Sequence, residues 1–83
     1  MYIGIKHVKP LEDFRLLLTF DNDEQGIVDM KPYLEKGIFR ELKDEAMFST
    51  ATVRFDTVEW ANGADFDPES LYWLSTLVKK ENA

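Results

Sequence analysis

Three acidic side chains alternate along one short stretch of the sequence and form its most chemically suggestive cluster. Asp65, Asp67 and Glu69 stand at every second position. Carboxylates this close together can coordinate a hard cation or act as general acid and base. One hypothesis is therefore a small metal-dependent or hydrolytic enzyme built around these residues. The structural alternative makes Asp67 a helix N-cap, Glu69 a favourable first-turn charge, and Asp65 an acceptor for backbone donors in the preceding turn.

Other residue patterns give little support for catalysis. The sequence has no cysteine, which excludes disulfides, zinc–thiolate sites, iron–sulfur clusters and thiol nucleophiles. His7 is the only histidine, and no serine lies in a nucleophile motif, so we expect His7 to face solvent. The acidic run from Asp21 to Gly26 resembles the start of a calcium loop, but Pro32 occupies the position that needs a bidentate glutamate. We predict no enzymatic activity and no cofactor or metal, with the alternating acids as the alternative.

The charge of the chain points away from nucleic acids. The 83 residues carry a formal net charge of -6, and the segment from Asp56 to Glu69 contains acidic side chains but no basic one. Such a surface repels phosphates, so we expect no nucleic-acid binding by the isolated chain. The acidic segment is either a solvated rim or a face that docks a basic partner. We also expect no membrane span and no signal peptide, and therefore a cytoplasmic protein.

The elements that position these residues begin with an antiparallel meander. Strands are predicted at 2–8, 14–20 and 27–30, with Pro10 ending the first strand and the acidic turn joining the other two. A short interrupted helix is predicted over 31–47, because Gly37 breaks an apolar stripe with helical spacing. We expect Asp44 to cap the last turn of this segment.

A β-hairpin follows, formed by strands at 52–55 and 57–60, and Asn62-Gly63 marks the next turn. Trp60 and Tyr72 are predicted to pack in the core, because aromatic side chains of this size dominate the core of a small domain. Together the elements predict one α+β domain spanning 1–83: a three-stranded antiparallel meander, a short interrupted helix, a β-hairpin and a C-terminal helix.

The C-terminal helix is the clearest element in the sequence. Asp67 is a good N-cap and Pro68 suits the first helical position. Lys79 and Lys80 are placed in its last turn, where positive charge complements the helix dipole.

This predicted helix has more apolar surface than docking on one sheet requires. On a helical wheel a wide arc is covered by Leu71, Trp73, Leu74, Leu77 and Val78. The arc has two interpretations. Either the domain wraps both sides of the helix or leaves Trp73 half exposed, or the helix presents a homodimer or partner surface centred on Trp73, Leu77 and Leu74.

A family resemblance covers nearly the whole chain. The matching positions in its first half are Phe20, Gly26, Asp29, Gly37, Ile38, Phe39, Leu42, Asp44 and Phe48. The most specific stretch runs from Val58 to Tyr72, and its motif residues, which we expect to be structural, are Trp60, Asn62, Gly63, Asp65, Asp67, Pro68, Leu71 and Tyr72. In this pattern the chain resembles the bacterial domain-of-unknown-function family 2442. Ala61 departs from it, since relatives often have proline there, which affects only the local turn.

The resemblance implies a small α+β fold and supplies neither an activity nor catalytic residues. Members of the family often stand beside another small gene, which implies an antitoxin-like or regulatory member of a two-gene pair. Longer members carry a helix-turn-helix domain, so a DNA-binding regulator subunit is an alternative, although we expect no room for that domain here. The leading hypothesis is a non-enzymatic protein-interaction module whose partner is another small protein or a second copy of itself.

Overall fold

The computed structural model describes residues 3–78. Tyr2, placed at the start of the first predicted strand, and Lys79 and Lys80, placed in the last turn of the predicted helix, lie outside these residues. Within the described part of the chain, no helix is both long and apolar enough to cross a membrane.

The predicted antiparallel meander is confirmed. It consists of β1 (Ile5–Leu11), a short irregular turn at Glu12–Phe14, β2 (Arg15–Phe20) and β3 (Gln25–Asp29). β2 alternates as its sequence predicts, because Leu16, Leu18 and Phe20 are buried. β1 continues through Pro10 instead of ending there, since β1 lies at the edge of its sheet, where a missing N–H is tolerated.

The predicted interrupted helix is a series of short turns. Two 3₁₀ helices, Lys31–Tyr33 and Gly37–Lys43, precede the α-helix α1 (Glu45–Phe48). Gly37 has a φ of 50°, in the left-handed region that favours glycine, which explains the break between the two 3₁₀ helices. Asp44 caps α1 as predicted, because its Oδ1 accepts a hydrogen bond from the Ala46 N–H at 3.1 Å.

The predicted β-hairpin is also present and belongs to a second sheet. It comprises β4 (Thr52–Arg54), β5 (Thr57–Glu59) and β6 (Asp65–Phe66), all antiparallel, and the sequence did not predict β6. The first hairpin strand ends one residue earlier than expected. Phe55 and Asp56 form the turn with φ values of 49° and 66°, as in a type I′ turn, and Phe55 is 85% exposed.

The C-terminal helix exists but is shorter than its periodicity predicted. α2 (Pro68–Leu74) ends at Ser75, whose φ of -76° and ψ of 148° are extended. Thr76–Val78 then form β7, which pairs antiparallel with β3 and gives the sheet order β1-β2-β3-β7. The β-branched Thr76 and Val78 favour this strand, and pairing with β3 provides its hydrogen bonds. Leu77 and Val78 therefore share no helical face with Trp73.

One cluster of buried apolar side chains connects the two sheets and the helical segment. Its members are Ile5, Leu16, Leu18, Phe20, Val28, Met30, Leu34, Leu42, Phe48, Val58, Trp60, Ala64 and Leu71. Trp60 is 1% exposed, and its indole N–H donates to the carbonyl of Phe48 at 3.1 Å, so its polar atom is satisfied. This core packs α2 against the meander, whereas β7 is held by its pairing with β3.

Candidate functional site

The alternating acids are placed in three different structural roles. Asp65 lies in β6 opposite Glu59, Asp67 caps α2, and Glu69 is an exposed residue in the first turn of α2. Among the described residues, no group of three or more histidine, aspartate or glutamate side chains is arranged to hold a metal ion. The enzyme alternative therefore gains no geometric support from these residues.

Asp67 is occupied by the helix that it starts. Its Oδ2 accepts hydrogen bonds from the Ser70 N–H at 3.0 Å and from the Ser70 hydroxyl at 3.1 Å. In the preceding turn the acceptor is Asn62 rather than Asp65, because Asn62 Oδ1 accepts from the Ala64 N–H at 3.0 Å. These bonds satisfy backbone donors that the start of the helix and the turn would otherwise leave unpaired.

The remaining motif residues have contacts within the fold. The Asn62 side-chain amide donates to Glu41 Oε1 at 3.0 Å, which joins the turn to the second 3₁₀ helix. Gly63 has a φ of 89° and so occupies a position that favours glycine. Pro68 and Leu71 are buried. Tyr72 packs edge-on against Phe20, with ring centroids 4.9 Å apart.

The acidic turn between β2 and β3 is likewise bound to its neighbours. Asp21 Oδ2 accepts from the Gly4 N–H at 3.1 Å, and Asp23 pairs with the Lys6 ammonium at 2.6 Å. This hydrogen bond to Asp23 is the main reason that the pKa of Lys6 lies above its usual value. His7 is exposed on β1, as expected. The residues that resemble a calcium loop thus form a hairpin turn.

The most distinctive surface lies at the end of the described chain. Trp73, Leu74, Leu77 and Val78, which we name the α2–β7 patch, are 78%, 43%, 43% and 42% exposed. Leu74, Leu77 and Val78 line one shallow depression of about 500 Å³, together with Ile27 and Tyr33. The structure therefore brings Leu74 and Leu77 together, although they belong to different elements.

Trp73 lies beside this depression rather than in it. With Ile3, Glu69 and Tyr72 it lines a second depression of about 220 Å³. The hydroxyl of Tyr72 donates to Glu24 Oε1, and Glu24 lines a third depression with Leu77 and Val78. The first and third depressions share Leu77 and Val78, and the Tyr72–Glu24 hydrogen bond links the second depression to the third.

Among the described residues, the charged side chains that line the three depressions are all acidic. We name Asp23, Glu24, Asp29 and Glu69 the acidic rim, because each of them lines one of the three depressions. No basic side chain of the described residues lines any of them. The described lining of the patch is therefore apolar, with acidic side chains as its charged members.

Two rim carboxylates already have cationic neighbours. Asp23 pairs with Lys6, and Asp29 lies 3.2 Å from the Lys31 ammonium. The pKa of Asp29 is lowered, chiefly because its carboxylate accepts a hydrogen bond from the backbone N–H of Lys31. Glu24 and Glu69 form no salt bridge with another described residue.

Sequence reasoning found the apolar residues of this surface but missed its architecture and its rim. Ser75 ends the helix by leaving helical geometry, and the β-branched residues Thr76 and Val78 signal the strand that follows. Gly26 is the other signal, because its missing side chain gives the chain at Ser75 room to approach β3. Glu24 and Asp29 had no local signal, since only the pairing of β3 with β7 brings them to the patch.

The comparisons with known proteins place the chain in a family without adding an activity. No curated protein and no solved structure matches it. The model of the family described as "Protein of unknown function (DUF2442)" matches residues 5–76, and the chain belongs to that family.

Proposed function

We propose that this protein is a non-enzymatic interaction module that binds a basic protein partner through the α2–β7 patch. The observation that carries the proposal is the exposure of Trp73, Leu74, Leu77 and Val78 inside the acidic rim. Apolar anchors surrounded by polar residues are typical of protein interfaces. More specifically, we propose that the partner is another small protein that this one regulates, as an antitoxin does.

Charge favours a basic partner over a second copy. Each copy carries a formal net charge of -6, and two copies that met at this patch would bring two acidic rims together. Like charges at an interface are unfavourable, whereas basic residues on a partner gain from Glu24 and Glu69 and are steered toward them. The proposed occupant is therefore a basic polypeptide segment with apolar residues for the patch.

Selection from a random dodecapeptide library tests this proposal. We expect the peptides that bind the immobilised protein to combine positive net charge with apolar residues, and their binding to weaken as salt is added. Trp73→Ala and Leu74→Ala should each lower the affinity about tenfold, as interface anchors do. Phe55→Ala is the matched control, because Phe55 is also an exposed aromatic residue but lies at a hairpin tip.

A charge reversal with its own control tests the rim. Glu69 and Glu45 both lie in the first turn of a helix, so replacing either by lysine disturbs a helix dipole in the same way. We expect Glu69→Lys to weaken peptide binding and Glu45→Lys to leave it unchanged. Neutral or acidic selected peptides, equal effects of the two reversals, or equal effects of Trp73→Ala and Phe55→Ala would overturn the proposal. Sedimentation of the wild type as a dimer that Trp73→Ala dissociates would also overturn it, in favour of a second copy.

A further inference from the structure

The two edges of the four-stranded sheet are protected to different degrees. At one edge, β1 contains Pro10 and the exposed side chains of Lys6, His7 and Lys9, which discourage pairing with another strand. The hairpin of the second sheet also covers part of β1, since the Ile5 N–H donates to the Asp56 carbonyl at 3.0 Å. At the other edge, β7 contains neither proline nor a charged residue between Thr76 and Val78. β7 is thus the unguarded edge of the described sheet.

The alternation of hydrogen-bonded residues along the strands determines which backbone groups of β7 face outward. The Phe20 N–H donates to Glu24, and the Met30 N–H donates to Phe14, so the even-numbered residues of β3 bond to β2. Antiparallel strands alternate, so Gln25 and Ile27 direct their backbone groups to β7.

The register between β3 and β7 completes this assignment. Gln25 is opposite Val78 and Ile27 is opposite Thr76, so Val78 and Thr76 bond to β3. Leu77, which is opposite Gly26, directs its N–H and its C=O to the open edge. The backbone N–H and C=O of Leu77 therefore have no hydrogen-bond partner among the described residues.

We propose that the partner binds by strand addition: an extended segment pairs with β7 as a fifth strand and exchanges backbone hydrogen bonds with Leu77. This mode rests on the proposed function and adds the manner of binding to it. Main-chain pairing at a sheet edge supplies affinity, and side chains of alternating direction supply specificity.

The faces of the sheet define the side chains that such a segment needs. Leu77 is opposite the buried Gly26, so the partner residue beside Leu77 points to the side of the sheet on which the core lies and takes an apolar side chain. The residues before and after it point to the other side, where Asp29 is exposed. Basic side chains at these two positions share this face with Asp29 of the acidic rim. The preferred segment therefore alternates basic and apolar residues.

Amide exchange with a defined probe tests the mode of binding. The probe is a capped peptide of about ten residues in which valine and lysine alternate, the length of a long strand. We expect it to shift the resonances of the α2–β7 patch and to slow hydrogen exchange at the Leu77 N–H, which exchanges fast in the free protein. The same peptide with glutamate in place of lysine is the charge control and should not bind.

The Leu77→Pro variant tests whether binding of the probe depends on backbone pairing or on side-chain packing. The β3–β7 ladder does not use the N–H of Leu77. At the other edge of the sheet, β1 already carries a proline, Pro10, in an equivalent position. Lys9 is opposite Leu17, an odd-numbered β2 residue that bonds to β1, so the nitrogen of Pro10 faces outward. We therefore expect Leu77→Pro to keep the fold, with unchanged amide shifts in β2, and to bind the probe about tenfold more weakly than Leu77→Ala does.

The outcomes distinguish the mode of binding from the function. If the probe perturbs the patch but Leu77 still exchanges fast, or if Leu77→Pro and Leu77→Ala bind equally, strand addition is wrong and the patch binds through side chains alone. If the valine–lysine probe leaves the resonances of the patch unchanged and no library peptide depends on Trp73 or Leu74, the proposed function fails with it. If Leu77→Pro unfolds the protein, hydrogen exchange at the Leu77 N–H of the wild type still shows whether the probe binds by strand addition.

Discussion

The hydroxyl of Tyr72 donates a hydrogen bond to Glu24 Oε1 over 2.6 Å, and this bond links α2 to the turn between β2 and β3. The ring of Tyr72 also packs edge-on against Phe20, so α2 is held by both an apolar and a polar contact. Because the carboxylate of Glu24 accepts the phenolic proton, the pKa of Tyr72 is raised above its usual value. The contact positions the end of α2, where Leu74 lines the same depression as Ile27 of β3.

Replacing Tyr72 by phenylalanine should destabilise the protein in a pH-dependent way. The variant keeps the ring but loses the hydrogen bond, so we expect a lower urea midpoint at neutral pH. A raised folded-state pKa contributes stability that is complete below the ordinary tyrosine pKa, about 10, and is lost as pH rises through the raised value. The difference between wild type and variant should therefore shrink above that pH, as urea titrations at increasing pH will show. A difference in urea midpoint that stays constant as the pH rises would contradict a stabilising role for the phenolic proton.

Trp60 should be the aromatic residue on which stability depends most. Trp60→Phe leaves a cavity and an unpaired Phe48 carbonyl in the core, so we expect a loss of about 2–4 kcal/mol in the free energy of unfolding. Trp73→Phe is the control, because an exposed side chain away from the core should change stability by less than about 0.5 kcal/mol. Urea unfolding measures both. Similar losses for the two variants would mean that Trp73 is packed as tightly as Trp60.

Phe55 should be replaceable with a gain in stability. Its φ of 49° is unfavourable for a bulky side chain and favourable for asparagine, which type I′ turns prefer at this position. We expect Phe55→Asn to raise the free energy of unfolding by about 0.5–1 kcal/mol, in the range of other substitutions that relieve backbone conformation. Phe55→Ala removes the same ring without favouring a positive φ and should give no gain. Equal stabilities of the two variants would contradict this explanation.

The sequence predicted the parts of the fold whose signals are local. β2 was visible because Leu16, Leu18 and Phe20 alternate within one strand, and the caps at Asp44 and Asp67 act on backbone donors within three residues. β7 could not be predicted, because the three residues Thr76–Val78 fit the spacing of a continued helix as well as that of a strand. Only the ladder to β3 decides between the two.

The candidate site could be predicted only in part for the same reason. Trp73 and Leu74 were recognised from the surplus of apolar residues in the last helix, and both are exposed. The acidic rim depends on tertiary structure, since Glu24 and Asp29 reach the patch through a pairing between segments about 50 residues apart in sequence. The outward direction of the Leu77 backbone also follows from register, which side-chain patterns alone do not encode.

Gly26 should be essential for the docking of β7. A Cβ added at Gly26 would lie 2.6 Å from Ser75 Oγ and 2.7 Å from Ser75 Cβ, so Gly26→Ala must push the chain at Ser75 away from β3. We expect a loss of about 1–3 kcal/mol, typical of overpacking. Ser75→Gly removes both contacting atoms and should restore part of this stability in the double variant. Additive effects of the two substitutions in urea unfolding would contradict a direct contact.

Asp67 distinguishes a structural use of the alternating acids from a catalytic or metal-binding one. Asp67→Ala removes the acceptor for the Ser70 N–H and should lower stability by about 1 kcal/mol, as loss of an N-cap does. Asp67→Asn keeps an acceptor oxygen but removes the charge, so we expect it to be nearly as stable as wild type. Comparing the stabilities of wild type and Asp67→Asn again in the presence of Mg²⁺ or Ca²⁺ tests for metal binding. A wild-type protein that either ion stabilises, together with an Asp67→Asn variant that neither ion affects, would show that the carboxylate binds metal rather than only capping α2.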